Sequence, residues 1–274
     1  KALTTEKFRL LNQPAWDPNG THIAARKHFT GTRSLGAGEI WAYHLDGGSG
    51  VQITKRSNDQ LDLGEPSFSP DGKYLYYSLD ATGGKRFKYN KDPNAGIYAI
   101  ERLDRKTGEI ERILSGSGGA VAPSPSPDGR HLAFVRRIRG KSHMMVMDLQ
   151  DQSVRSLFDG LDRDMQETWA IHGVYPRFDW TPDSKSLVFW AQGKLWSMGL
   201  EADAPTNIPF QVNDTREIRE AVRFPVEVAP DKFQVRALRH SHQSPSGGRT
   251  IFEALGKLWF QSGEGAPQRL TSAT

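Results

Sequence analysis

Short apolar runs recur along the chain, and each follows a turn built on proline. The turns occupy residues 16–20 (WDPNG), 68–72 (FSPDG), 125–129 (PSPDG), 180–184 (WTPDS) and 243–247 (QSPSG). In such a turn proline fixes the first corner, Asp or Asn caps the next amides, and glycine accepts a positive φ. Successive turn prolines lie 52, 57, 55 and 63 residues apart. This spacing suits repeats of four strands, which need ~40–45 residues plus insertions.

Three predicted strands follow each turn at similar offsets. The first set is 22–25, 74–77, 132–135, 187–190 and 250–252; the second is 39–43, 96–100, 144–147, 194–198 and 257–260. A shorter and more polar set, typical of edge strands, lies at 51–54, 110–114, 154–157, 208–210 and 268–271. The first set is almost continuously apolar, which indicates that both faces of those strands are covered.

Stacked four-stranded repeats without long helical periodicity predict an all-β fold, a β-propeller of antiparallel blades. We expect about five full blades, at residues 9–58, 59–118, 119–165, 166–218 and 219–274. Residues 2–5 (ALTT) resemble residues 269–272 (RLTS), so residues 1–8 are predicted to be the outer strand of a preceding blade. The expected molecule is an incomplete fragment of a ring of six to eight blades, whose exposed end faces favour self-association.

The composition of the chain excludes several classes of function. The chain has no cysteine, which excludes disulfides and thiolate chemistry. Its net charge is only +4 and its basic residues are dispersed, so no nucleic-acid partner is expected. The densest basic stretch is predicted to be a solvated hairpin face; it comprises Arg130, Arg136, Arg137, Arg139 and Lys141. No apolar run approaches the ~20 residues of a membrane span.

Two turns carry a family signature, SPDGK at 69–73 and SPDGR at 126–130. These resemble the repeats of TolB-type propellers. A closer likeness covers nearly the whole chain, on residues 23–27, 38–44, 162–167, 173–176 and 254–259. There the sequence resembles the propeller that precedes the metal-dependent hydrolase barrel in large secreted amidohydrolase-family proteins.

The resemblance implies a non-catalytic domain that supports, docks or gates a hydrolase domain absent from this chain. Its partner would be that domain in the same parent chain, or another protein, and the location periplasmic or secreted. The parent would be a metal-dependent amidohydrolase. Two alternatives stay open: a stand-alone TolB-like protein-interaction module, and the gating propeller of a prolyl-oligopeptidase-type serine peptidase.

One pair of histidines has the spacing of a metal site. His240 and His242 form the H-x-H pattern that supplies two ligands in amidohydrolase barrels, and residues two apart on a strand share one face. The stretch leads into a propeller turn, however, and offers no third ligand. The chain also contains no G-x-S-x-G pentapeptide. We therefore predict no catalytic residues, no bound metal and no cofactor.

The most distinctive polar segment lies between the third and fourth turns. Carboxylates there adjoin aromatic residues, a combination that forms docking or ligand surfaces. The candidate binding residues are Asp162, Asp164, Glu167, Trp169, His172 and Tyr175. The competing interpretation is a solvated inter-blade loop whose Trp169 and Tyr175 pack into a blade interface.

Overall fold

The computed structural model describes residues 2–30, 36–83, 95–168, 170–220, 222–223 and 225–272. Twenty strands in these ranges form five four-stranded sheets, and every paired strand is antiparallel to its neighbour in sequence. The chain divides into two compact units, Lys1–Val212 and Asn213–Thr274. The first four sheets lie in the first unit and the fifth lies in the second.

Each sheet is built from four consecutive strands, beginning with its inner strand. Sheet 1 contains β1 (Leu11–Trp16), β2 (His22–Thr30), β3 (Gly36–His44) and β4 (Val51–Gln52); sheet 2 contains β5 (Leu63–Phe68), β6 (Tyr74–Asp80), β7 (Tyr98–Asp104) and β8 (Ile110–Leu114). Sheet 3 contains β9 (Val121–Pro125), β10 (His131–Ile138), β11 (Lys141–Asp148) and β12 (Val154–Phe158); sheet 4 contains β13 (Asp179–Trp180), β14 (Ser186–Ala191), β15 (Lys194–Gly199) and β16 (Thr206–Ile208). Sheet 5 contains β17 (Arg239–Gln243), β18 (Arg249–Ala254), β19 (Lys257–Ser262) and β20 (Gln268–Arg269).

The predicted all-β architecture of four-stranded antiparallel blades is confirmed. Each sheet falls within one of the five predicted blade ranges, although the blade boundaries themselves stay a prediction. Residues 2–10 form no strand in the structure, and the assignment of residues 1–8 to another blade also stays a prediction.

The proline turns are held by bonds within each turn. Ser69 Oγ donates to Asp71 Oδ1 at 2.5 Å and accepts from the Tyr74 amide at 2.8 Å. Gly72 closes the turn with a φ of 70°. Ser184 takes the glycine position of the fourth turn with a φ of 61°, and its hydroxyl accepts from the Asp128 amide at 3.0 Å. The serine that replaces glycine therefore links the fourth turn to the third.

Three apolar cores fill the spaces between successive sheets of the first unit. Their buried members include Ala24, Ile40, Leu75 and Tyr77 between sheets 1 and 2, Tyr76, Ile100, Leu132 and Phe134 between sheets 2 and 3, and Ala133, Val135, Leu187 and Phe189 between sheets 3 and 4. Alternate residues of β6 and β10 face opposite neighbours. Both faces are thus covered, which is why these strands have no polar alternation. Each large side chain so buried contributes about 1.5–3 kcal/mol.

A β-bulge recurs in four of the inner strands. Gln13, Glu65, Ala122 and His240 have left-handed φ values of 53°, 55°, 54° and 49°. At each of them two residues of the inner strand lie opposite one residue of the next strand. Such bulges bend a strand and change the direction of a side chain. In the first unit they shape the site described next.

Candidate functional site

The inner strands of the first unit line a pocket of about 780 Å³. We call it the inner-strand pocket. Its walls come from β1, β5 and β9, from β13 and from the segment before β13. Apolar surface is contributed by Trp16, Phe68 and Phe178, and polar surface by Asp179 and Arg177. The bulges lie at this pocket, because Gln13, Glu65 and Ala122 are all part of its lining.

Glu65 is the most heavily bonded side chain of the pocket wall. Its Oε2 accepts from Ser78 Oγ at 2.6 Å and from the Ala122 amide at 2.8 Å. Its Oε1 accepts from the Val174 amide at 2.7 Å. Burial raises the pKa of Glu65, and the three donors act against that shift. A carboxylate with all these partners inside the protein is suited to holding elements together.

Bulge residues of adjacent sheets are connected in series. Gln13 Oε1 accepts from the Glu65 amide at 2.6 Å, just as Glu65 accepts from the Ala122 amide. The series links sheets 1, 2 and 3. We did not predict Gln13 or Glu65 as site residues. The available signal was a residue followed by proline, five positions before the turn proline, at Gln13, Glu65 and Ala122.

Residues 159–178 connect β12 to β13, and we call this segment the strap. Arg137 on β10 holds one part of it. The guanidinium donates to Asp164 through Nε at 3.0 Å and Nη2 at 2.8 Å, and Nη2 also donates to Glu167 Oε2 at 2.7 Å. Ser142 Oγ adds a bond of 2.6 Å to Asp164 Oδ2. The expectation of a solvated face was wrong for Arg137, whose side chain is only 6% exposed.

The strap is also bonded to the other three sheets of the first unit. Asn12 on β1 donates to the Ile171 carbonyl at 2.6 Å, and Glu65 on β5 accepts from Val174. The Gln192 amide, just after β14, donates to Asp162 Oδ2 at 2.7 Å. Gly173 has a φ of 113°, and a Cβ atom there would lie 3.3 Å from Glu65 Oε1. Glycine thus permits the close approach of strap and β5.

The predicted binding residues differ in how far they are exposed to solvent. Asp164 and Tyr175 are buried, Asp162 and Glu167 are partly buried, and His172 is exposed. Asp162, His172 and Tyr175 line the inner-strand pocket. Trp169 lies outside the described residues. The hydrogen bond to Arg137 holds the pKa of Glu167 at about 2. A binding role for this set stays a prediction.

Arg177 is a further pocket residue that the sequence did not single out. It takes the position, five residues before a turn proline, that bulge residues occupy in sheets 1 to 3. Its guanidinium donates to the Pro14 carbonyl of β1 and, at 2.9 Å, to the Pro66 carbonyl of β5. The side chain therefore links the strap to sheets 1 and 2.

The two candidate metal-binding histidines lie on β17 in the second unit, and both are exposed. His240 Nε2 is 3.6 Å from Glu253 Oε2. The bulge at His240 shifts the strand register between Arg239 and His242. The rule that residues two apart share a face consequently does not apply here. Among the described residues, no three His, Cys, Asp or Glu side chains are grouped to hold a metal ion.

Comparison with known proteins connects this architecture to TolB. No family model matches the chain. An uncharacterised protein of Agrobacterium fabrum is 23% identical over an alignment of 197 residues, and the match covers 68% of this chain and 57% of that protein. The Tol-Pal system protein TolB of Francisella tularensis is 26% identical over 112 residues, or 40% of this chain and 22% of that protein. The chain thus spans less than two thirds of the length of either relative.

Solved structures give the same assignment at the level of fold. TolB from Acinetobacter baumannii superposes with a TM-score of 0.51 and 18% identity, covering 92% of this chain and 53% of its own. A protein described as TolB from Agrobacterium tumefaciens gives a TM-score of 0.54 and 15% identity, covering 96% and 81%. The fold is therefore a β-propeller. More specifically, it is a TolB-like β-propeller. In the described ranges no helix is long and apolar enough to cross a membrane.

Proposed function

We propose that this chain is a non-catalytic TolB-like propeller domain that docks and positions a hydrolase domain of the amidohydrolase type. The observation that carries the proposal is the inner-strand pocket with the strap across it. Glu65 and Arg177 already bond to neighbouring elements of the chain. Groups engaged in this way hold a surface in shape, whereas acid–base catalysis needs a group within reach of substrate.

The exposed side chains of the pocket wall are suited to contact with another protein. Trp16 is 62% exposed and Met165 is 49% exposed. Both line the pocket, together with the exposed Arg163 and His172 of the strap. Aromatic residues, Met and Arg are enriched in protein interfaces. Two of the segments that resemble amidohydrolase-associated propellers, 162–167 and 173–176, belong to the strap, which supports the same surface as the docking site.

A stand-alone protein-interaction module is the second candidate function. It is favoured by the relatives and structures named TolB, one of which is a Tol-Pal system protein. In that case the pocket and strap would bind a separate protein. Either function is compatible with a periplasmic location, which we include in the proposal.

The reading frame that encodes this chain distinguishes the candidates. We expect it to encode a βα barrel with an H-x-H motif after a strand, the arrangement of a metal-dependent amidohydrolase. A G-x-S-x-G motif between a strand and a helix would instead indicate a serine peptidase and overturn the proposal. A frame with neither motif would favour the stand-alone interaction module.

A further inference from the structure

Two tryptophans of the inner-strand pocket differ from the other tryptophans that the structure describes. Trp16 is 62% exposed and Trp190 is 40% exposed, and both line the pocket. Neither indole N–H has a hydrogen-bond partner among the described residues. The remaining described tryptophans each donate this group to a protein oxygen; they are Trp41, Trp180, Trp196 and Trp259. The pocket therefore holds two exposed indoles whose donors are available to a ligand.

Further polar groups of the pocket wall are available to the same ligand. Ser67 and Ser124 are half-buried in the lining, and neither hydroxyl is hydrogen-bonded within the part of the chain that the structure describes. Asp179 is an exposed lining residue, and its carboxylate has no partner in the same ranges. An indole N–H only donates, a carboxylate only accepts, and a hydroxyl does both. A ligand that satisfies these groups carries donors as well as acceptors.

The charges of the pocket favour a neutral ligand. Its two arginines are already engaged, because Arg163 lies 3.0 Å from Glu167 Oε1 and Arg177 donates to two backbone carbonyls. The free carboxylate of Asp179 repels an anionic ligand. A simple cation is attracted to the face of an indole, but it offers no acceptor to the indole N–H.

The positions of the two tryptophans indicate an elongated ligand. Trp16 stands two positions before its turn proline, as Trp180 does in sheet 4. The register of β13 and β14 places Trp190 level with Arg177, three residues earlier along the inner strand. At ~3.3 Å per residue, the two tryptophan positions are about 10 Å apart in the strand direction. A ligand that reaches both is longer than a single ring, and the pocket volume of about 780 Å³ is typical of sites for such molecules.

The inner strands are poorly suited to pairing with an added peptide strand. Such a strand binds through the free backbone groups of a sheet edge. In sheets 2 and 3 the amides of Glu65 and Ala122 are already bonded to the side chains of Gln13 and Glu65, at 2.6 and 2.8 Å. The bulges interrupt the regular edge at the same residues. Recognition in the pocket therefore depends on side chains, which favours a ligand rich in hydroxyl groups.

We propose that the inner-strand pocket binds a neutral oligosaccharide. The indoles of Trp16 and Trp190 stack on the apolar C–H faces of its rings, and their N–H groups donate to its hydroxyl oxygens. Asp179 accepts from its hydroxyls, and the two serines take either role. The inference goes beyond the docking of a hydrolase domain, because it concerns a ligand of this chain alone.

The test is isothermal titration calorimetry of the whole chain with cellotetraose, maltotetraose and chitotetraose in turn. We expect saturable binding of at least one of them, with a dissociation constant below about 1 mM. Tryptophan fluorescence should shift to shorter wavelength on binding, because the ligand removes water from the two exposed indoles. No hydrolase domain is present in this measurement, so its failure and the failure of hydrolase docking are separate results.

Variants of the pocket wall test the assignment of the groups. Trp16→Ala, Trp190→Ala and Asp179→Asn should each weaken binding about tenfold, and circular dichroism should show that their melting temperatures are unchanged. Trp16→Phe keeps an aromatic face but loses the N–H donor, and its affinity should lie between those of Trp16→Ala and the unaltered chain. Lys141→Glu, an exposed change on β11 outside the pocket lining, is the matched control and should bind like the unaltered chain.

Three results would overturn the proposal. The first is that none of the three neutral sugars binds at concentrations up to about 10 mM. The second is that the Trp16 and Trp190 variants bind as tightly as the Lys141→Glu control. The third is that tetragalacturonate, an anionic sugar, or a proline-rich peptide binds while the neutral sugars do not.

Discussion

At the scale of single residues, the wall of the inner-strand pocket is held by side chains that the fold places beside their hydrogen-bond partners. Glu65 is one of many carboxylates in the sequence. The residues next to it differ little from those next to solvent-exposed carboxylates. Its role arises because a bulge turns it towards β9 and the strap. Sequence periodicity does not predict a bulge, since the extra residue is set by pairing between strands. The Pro66 that follows was the only local sign.

Glu65→Ala should lower the free energy of unfolding by about 2–3 kcal/mol, because it leaves the buried donors of Ser78 and Val174 without this acceptor and leaves the Ala122 amide with only Ser78 Oγ, at 3.0 Å. Chemical denaturation monitored by circular dichroism measures this change. Glu111→Ala is the control, since Glu111 is an exposed residue of β8 paired with Arg102; it should cost below about 1 kcal/mol. If the two variants lost the same free energy of unfolding, the role of Glu65 in holding these elements together would be contradicted.

The acidic segment illustrates what the sequence could and could not predict. Its carboxylates and aromatics were recognisable as a distinctive set. The partner of Asp164 and Glu167 was not, because Arg137 is far away in sequence within a stretch of basic residues. Long-range ion pairs depend on the packing of elements, and composition alone assigned Arg137 to solvent.

At the scale of elements, the strap is the segment that joins the four sheets of the first unit. Arg137→Ala should release it, because the change leaves the buried Asp164 carboxylate without its cation; such losses cost about 3–5 kcal/mol. Hydrogen exchange should then accelerate in residues 162–175 more than in the hairpin of β14 and β15. Arg163→Ala, which removes an exposed cation of the same strap, should leave exchange unchanged. Uniform acceleration in all peptides would contradict local release.

The ion pair between Arg137 and Glu167 of the strap predicts that the stability of the fold depends on pH. The pKa of Glu167 is about 2 in the folded chain, against an ordinary value of 4.5, since Arg137 stabilises its ionised form. A lowered pKa contributes stability above the unfolded value, and that stability is lost as pH falls from about 4.5 towards 2. The stability difference between the unaltered chain and Glu167→Gln should therefore be constant near neutral pH and shrink across this range. The Glu167 side chain is 21% exposed, and screening by solvent weakens its ion pair, so we expect a difference of about 1 kcal/mol or less. A difference that does not vary with pH would contradict this pairing.

At the scale of the whole molecule, the architecture was the most predictable feature. The turns could be recognised because Pro, Asp and Gly act within five residues, and strands such as β6 and β10 because both of their faces are covered. The predicted fold is confirmed by five four-stranded sheets and by the TolB structures. Function is less accessible, because one fold serves many functions and only the site distinguishes them. Here the proposed site is a pocket wall with exposed side chains, and the partner that we propose for it is another protein domain.

The measurement closest to the central claim is a calorimetric titration of this chain with the hydrolase domain that we propose is encoded in the same reading frame, the two produced separately. We predict saturable binding with one domain per chain. Met165→Glu places a charge at an exposed pocket residue of the strap and should weaken binding about tenfold or more, whereas Lys141→Glu should bind like the unaltered chain. Absence of binding, or equal affinity for the Met165→Glu variant and the unaltered chain, would contradict docking at the inner-strand pocket.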